Sequence, residues 1–289
     1  MASIDPKLRI RAVTLAVADL QRSVEFYERV LGLPLVERDE HTAQLGPDRE
    51  HPALALSDLA GPTPLPPGAT GLFHVAWLHP TGAALAETVR RIVAGGWPLE
   101  GASDHGVSEA LYLSDPDGLG IEIYADRPRE DWQRPADGHG VRMFTLPLDL
   151  DDLLAQYNGE PSASMPAQTT IGHVHLKVAD VPRAVAFYRD ALGLEEQATI
   201  PSAAFLSAGG YHHHVGLNSW QSAGAAPAPA SAPGLRRVEF ELSGDAALGS
   251  LEQSLARASP PADFQRDGAS ALSVLDPDGD ALLFVSSGG

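Results

Sequence analysis

The chain contains no cysteine. Disulfides, thiolate zinc sites and iron–sulfur clusters are therefore excluded. Basic residues are scarce: 20 Lys and Arg stand against 38 Asp and Glu, a formal net charge of −18. A chain of that sign repels phosphate, which argues against a nucleic-acid partner and says nothing against a neutral small molecule. No run of eighteen apolar residues is present, so no membrane span is expected. The opening MASIDPKLRIRAV lacks a basic region followed by an apolar core, so no secretion signal is read and a cytoplasmic location is expected. The 289 residues suffice for two ordinary domains.

An internal duplication organises the chain. Residues 10–33 read IRAVTLAVADLQRSVEFYERVLGL and residues 171–194 read IGHVHLKVADVPRAVAFYRDALGL, identical at 13 of 24 positions. The same offset lays Asp115-Pro116-Asp117-Gly118 on Asp276-Pro277-Asp278-Gly279. The halves are placed at 8–126 and 169–286, joined by a linker, 127–168, that is rich in Pro, Asp and Gly and holds one short helix after Asp149. Each half begins with an alternating strand (Val13, Leu15, Val17), followed by a helix capped by Asp19 or Asp180 and ended by Gly32 or Gly193. Strands near 35–38, 41–45 and 53–57 follow. The plan then repeats more loosely, with a strand at 71–78, a helix at 82–94 and a strand at 97–100 before a hairpin. The expected fold is α+β, with four βαβββ modules in two tandem domains. Residues 223–234 (AGAAPAPASAPG) read as a mobile surface loop.

The hairpin lies in SDHGVSEALYLSDPDGLGIEIY, residues 103–124. Pro and Gly at the second and fourth places of Asp115–Gly118 suit a type I turn, and 111–114 and 119–124 read as its strands. Glu122 sits between Ile121 and Ile123, and a buried carboxylate needs a partner or a metal. His105, Leu111, Tyr112, Asp115, Pro116, Gly118 and Glu122 together fill a pattern that resembles the signature of type I extradiol ring-cleaving dioxygenases, in the vicinal oxygen chelate superfamily. The departure is Ser103, where that family prefers Gly or another small or apolar residue. Residues 210–220, GYHHHVGLNSW, are similar to one branch, the catechol 2,3-dioxygenase-like proteins of Gram-positive bacteria.

The resemblance implies paired modules forming a cupped sheet around one metal, Fe(II) or alternatively Mn(II), held by two His and one Glu. It implies O₂ and a catechol, or a substituted catechol, as substrates. First and last strands of the modules supply such ligands. The first module offers only Ala12, and the fourth only Arg237 and Leu283. The second offers His74 and Glu122, and the third offers His173, with His175 as a competitor on the same face. The expected metal ligands are therefore His74, His173 and Glu122, and the second and third modules must share a cup although they lie in different halves. In a regular strand at 210–220, His212 and His214 would share a face and His213 would take the other. The resemblance carries the acid–base role to His214. It gives Tyr112 and His105 hydrogen bonds to the substrate oxygen. Trp77, Trp97 and Trp220 read as core or cup wall, and His51 and His79 as surface residues. A glyoxalase-like lyase or isomerase would need one more acidic or amide ligand, absent from 211–217. A non-catalytic binding module would lack the triad. The sequence leaves homo-oligomer formation open.

Overall fold

The computed structural model describes residues 3–136, 138–259 and 262–287. β1 (Arg9–Val17) buries Val13, Leu15 and Val17, and its repeat partner β10 (Thr170–Lys177) is buried along nearly its whole length. Each leads into a helix, α1 (Leu20–Phe26) or α4 (Val181–Ala186). Asp19 accepts from the Arg22 N–H at 2.9 Å and Asp180 from the Arg183 N–H at 2.7 Å, satisfying donors that the first turn leaves open. Both helices widen into a five-residue π turn, Tyr27–Leu31 and Phe187–Ala191. Gly32 then ends the first at a φ of 74°, a left-handed conformation that favours glycine.

The other strands of the first module are β2 (Leu35–Arg38), β3 (Thr42–Leu45) and β4 (Leu54–Asp58). The second module comprises β5 (Gly71–His79), α2 (Gly82–Ala94), β6 (Gly101–Asp104), β7 (Ser108–Ser114) and β8 (Gly120–Asp126). The linker carries β9 (Leu146–Pro147) and α3 (Leu150–Ala155), the latter capped by Asp149. The third module is completed by β11 (Glu195–Ile200), β12 (Ala203–Ser207) and β13 (Val215–Asn218). The fourth contains β14 (Gly234–Leu242), α5 (Asp245–Arg257), β15 (Phe264–Asp267), β16 (Ala271–Leu275) and β17 (Ala281–Ser286).

Two mixed sheets result, one of order β15-β16-β17-β14-β1-β4-β3-β2 and one of order β11-β12-β13-β10-β5-β8-β7-β6-β9. The first joins modules one and four through the antiparallel pair β1–β14, and the second joins modules two and three through β5–β10. The sheets thus cross the halves of the duplication, as the ligand count requires. Within each half the connection is made by a helix and a turn. The Tyr27 hydroxyl donates to Asp115 at 3.2 Å, and its repeat partner Tyr188 donates to Asp276 at 3.1 Å.

Three local expectations are corrected. The strand expected at 97–100 lies at 101–104, because the ladder with β7 starts only where the Glu100 N–H reaches the Tyr112 carbonyl; Trp97 instead donates its indole N–H to Ser114. His79 is buried under α2, where its Nδ1–H donates to the Trp77 carbonyl and its Nε2 accepts from the Thr88 hydroxyl at 2.9 Å. The 223–234 segment is docked: Pro227 bridges Thr70, Ala232 is fully buried, and Arg236 binds the carbonyls of Ala230 and Ala232.

Candidate metal centre and its cavity

β13, β10, β5, β8 and β7 are neighbours in the second sheet, and their alternation puts a set of polar side chains on one concave face. Ala76 on β5 stands opposite His173 on one side and Glu122 on the other, while His74 stands opposite His175. With only a methyl group at 76, the space above it stays open and the flanking side chains converge on it. Gly172 permits the same crowding from β10, since a Cβ there would meet the Tyr124 hydroxyl at 1.7 Å.

His74 Nε2 lies 3.0 Å from Glu122 Oε2, His173 Nε2 lies 3.3 Å from the same oxygen, and the two Nε2 atoms are 3.3 Å apart. All three residues are buried, and among the described residues they are the group of His, Cys, Asp or Glu side chains that converges closely enough to hold an ion. An ion at ~2.0–2.2 Å from each donor would separate neighbouring donors by roughly 3.0–3.5 Å, and the three observed edges fall in that range. Burial by itself would raise the Glu122 carboxyl, but the His173 and His74 imidazoles carry it well below the usual carboxylate value. Burial pushes His173 down to about 4 against the pull of Glu122. An ionised carboxylate and neutral imidazoles are the forms that bind a divalent cation. Three such donors on one face, with cavity on the other side, form a facial set of the kind that leaves coordination positions for ligands.

The cavity beside this face has a volume of about 500 Å³, and its wall includes Phe73, Phe144, Phe205 and Trp220. That size and apolar lining suit a small aromatic molecule. At the rim Tyr112, paired with Glu122 across β7–β8, donates its hydroxyl proton to His105 Nε2 at 2.6 Å. The direction follows from the other ring nitrogen of His105, which lies 2.8 Å from the Phe144 carbonyl and donates to it. Burial, with the nearby Glu122 charge, pushes the Tyr112 hydroxyl up, so it stays protonated and able to donate.

The structure therefore brings His74, His173, Glu122, Tyr112 and His105 together. It does not bring His214 to them. Residues 211–214 lead into β13, which begins at Val215, and His213 and His214 point to opposite sides of this segment. His214 packs on Tyr211 and accepts the Ala208 N–H at 3.2 Å, beside a separate cleft that includes Arg9 and Arg129. His213 is the histidine of this run that lines the metal-side cavity, with its ring centroid 4.0 Å from that of His173. Burial lowers it well below the ordinary imidazole value, so the neutral ring is the resting form. His175 also lines the cavity, with a buried Nε2 that has no hydrogen-bond partner among the described residues. Phe144, contributed by the linker, was not legible as a site residue, because no periodicity marks it.

The chain matches the family model described as Glyoxalase/Bleomycin resistance protein/Dioxygenase superfamily over residues 9–123 and 170–279. It is 43% identical over 238 residues to a catechol-2,3-dioxygenase of Bacillus subtilis (strain 168), an alignment covering 81% of this chain and 83% of that one. Among solved structures, a protein of Bacillus subtilis subsp. subtilis str. 168 superposes with a TM-score of 0.65 at 16% identity, covering 100% of this chain and 87% of its own. Glyoxalase I from Zea mays superposes with a TM-score of 0.59 at 17% identity, covering 97% and 92%. At those identities the two structures speak for the fold alone.

Proposed function

The chain belongs to the Glyoxalase/Bleomycin resistance protein/Dioxygenase superfamily, and from that premise we propose that it is an extradiol dioxygenase, which opens the ring of catechol or a substituted catechol beside the diol. The observation that carries this reading is the buried face of His74, His173 and Glu122 donors, 3.0–3.3 Å apart, next to an aromatic-walled cavity. The similarity to a catechol-2,3-dioxygenase over four-fifths of the chain supports the same reaction. Fe(II) is the ion proposed for the site, with Mn(II) able to use the same donors. When bound, the ion supplies the electron exchange that lets triplet dioxygen react with a singlet diol. Both oxygen atoms enter the product, 2-hydroxymuconic semialdehyde for catechol itself, so no outside reductant is needed.

The side chains do the rest. Phe73, Phe144, Phe205 and Trp220 enclose the flat ring and exclude water. The Tyr112 hydroxyl, held by His105 before substrate enters, turns its one proton from His105 to a diol oxygen and there stabilises negative charge that develops. His213, neutral at rest and facing the cavity, takes a proton from the substrate and returns one as the ring opens, a role for which imidazole is suited. His213 is proposed for this role in place of His214, whose ring lines a separate cleft.

The test is to load the protein with Fe(II) under argon, add catechol, and admit ¹⁸O₂. A yellow ring-opened product carrying two ¹⁸O atoms is expected. Unchanged catechol and substituted catechols in a protein that holds its iron would refute the reading, as would a product labelled at one oxygen only.

A further inference from the structure

A chain of hydrogen bonds leads from the cavity to the far end of β8. His213 Nδ1 lies 2.8 Å from His212 Nδ1, and His212 Nε2 lies 3.0 Å from Asp126 Oδ1. His212 is fully buried, whereas the Asp126 side chain is a quarter exposed. The Tyr211 hydroxyl donates to the same Asp126 oxygen at 3.2 Å and is itself 2.7 Å from the Tyr124 hydroxyl. A carboxylate only accepts, so the His212 proton sits on Nε2. With one ring proton, on Nε2, the Nδ1 of His212 carries a lone pair. That lone pair must accept, which places the His213 proton on Nδ1. The remaining nitrogen of His213, Nε2, then carries a lone pair of its own, on a ring that lines the cavity.

We propose that Asp126 and His212 are positioning residues which lock His213 in the Nδ1–H tautomer and so fix it as a proton acceptor at Nε2. The proposal rests on the ring-cleavage reading for what His213 does, but the tautomer itself can be read without any reaction. Sequence gives no hint of it, because Asp126 and His212 lie 86 residues apart and meet only through the crosswise pairing of modules two and three.

Long-range ¹H–¹⁵N spectra of the metal-free full chain, labelled at histidine, report which ring nitrogen holds each proton. Expected are a protonated Nδ1 and bare Nε2 for His213, and the reverse for His212. A His213 protonated at Nε2, or a His212 protonated at both nitrogens, overturns the proposal. In the iron-loaded protein, Asp126→Asn lets the amide either donate or accept and releases the tautomer. Its kcat should fall about 10²–10⁴-fold with KM within about threefold and metal content unchanged, the upper end being what a comparable Asp→Asn change costs a catalytic triad. Asp126→Glu should recover part of the loss. Tyr211→Phe removes the other donor to Asp126 but leaves the His212 bond in place, and should leave kcat within about threefold of the parent. An Asp126→Asn enzyme as fast as the parent, or a Tyr211→Phe enzyme as slow as Asp126→Asn, overturns the proposal. A parent that binds iron but cleaves no catechol refutes the ring-cleavage reading and leaves the spectral result to decide this one.

Discussion

Replacing His213 and His214 by alanine, one at a time, should separate chemistry from stability. The two are neighbours in sequence, yet one faces the cavity and the other the opposite side of the same segment. Loss of an acid–base group typically slows a reaction ~10²–10⁴-fold, or about 2.7–5.5 kcal/mol of barrier. His213→Ala should show that loss in kcat and keep its metal, because His74, His173 and Glu122 remain. His214→Ala removes the acceptor of the buried Ala208 N–H and the ring packed on Tyr211. An orphaned buried donor costs about 1–3 kcal/mol. The lost ring adds a cavity term, so a total on the order of 2–4 kcal/mol is expected. Its kcat should stay within a few-fold of the parent. Rates of yellow product formation and urea midpoints measured on both variants decide the matter. The reasoning fails if His214→Ala is folded and slow while His213→Ala turns over normally.

Other expectations follow from the same geometry. Metal analysis should find one ion per chain, and Glu122→Gln should weaken binding by more than the ~10–100-fold that loss of an outer partner costs. His79 is buried and lowered from 6.5 to about 4, so its contribution to stability is full above pH 6.5 and is lost as pH falls from there toward 4. The slope is up to about 1.4 kcal/mol per pH unit, and a flatter acid limb for His79→Gln in urea titrations would confirm the source. Gly172→Ala should destabilise by about 1–3 kcal/mol, because its Cβ must displace the Tyr124 hydroxyl; an unchanged urea midpoint would contradict the close approach. Separately expressed 1–140 and 141–289 should each bind iron weakly and recover binding when mixed, since β5 and β10 then pair; full affinity in either half alone would contradict the shared cup.

Much of this arrangement is legible because it rests on counts and periods. The Asp19 and Asp180 caps and the glycine stop at Gly32 are local chemistry, and they form as expected. The crosswise pairing follows from which strands own a ligand, since His74, Glu122 and His173 make a useful site only if modules two and three meet. What sequence conceals is which face of a segment meets the cavity. Alternation puts His213 and His214 on opposite sides, as they are, but only the tertiary structure shows that the side bearing His213 is the one that lines the cavity. The His79 environment is hidden for a different reason: a polar residue at a strand end reads as exposed until α2 supplies Thr88 to cover it. Phe144 reaches the cavity because β9 joins the edge strand β6, a tertiary event with no local signal.

The duplication also divides the residues of the hairpin by what they do. Asp115 accepts the N–H groups of Asp117 and Leu119 and the Tyr27 hydroxyl, and Asp117 binds the Ala18 N–H and the Arg22 side chain. In the second half Asp276 accepts from Asp278, Asp280 and Tyr188, and Asp278 binds the Ala179 N–H and Arg183. The same clasp thus forms in a sheet whose described residues hold no converging ligand set, so the turn is scaffold: it ties the helix of one module to the hairpin of the next. His105, Tyr112 and Glu122 fall instead on Arg266, Ser273 and Leu283 in the second half. A hairpin that has lost all three and kept its clasp still holds β16 against β17. Chemistry in this chain is therefore separable from fold at the level of single side chains. The three residues absent from the second copy are the ones that, in the first, surround the converging imidazoles of His74 and His173.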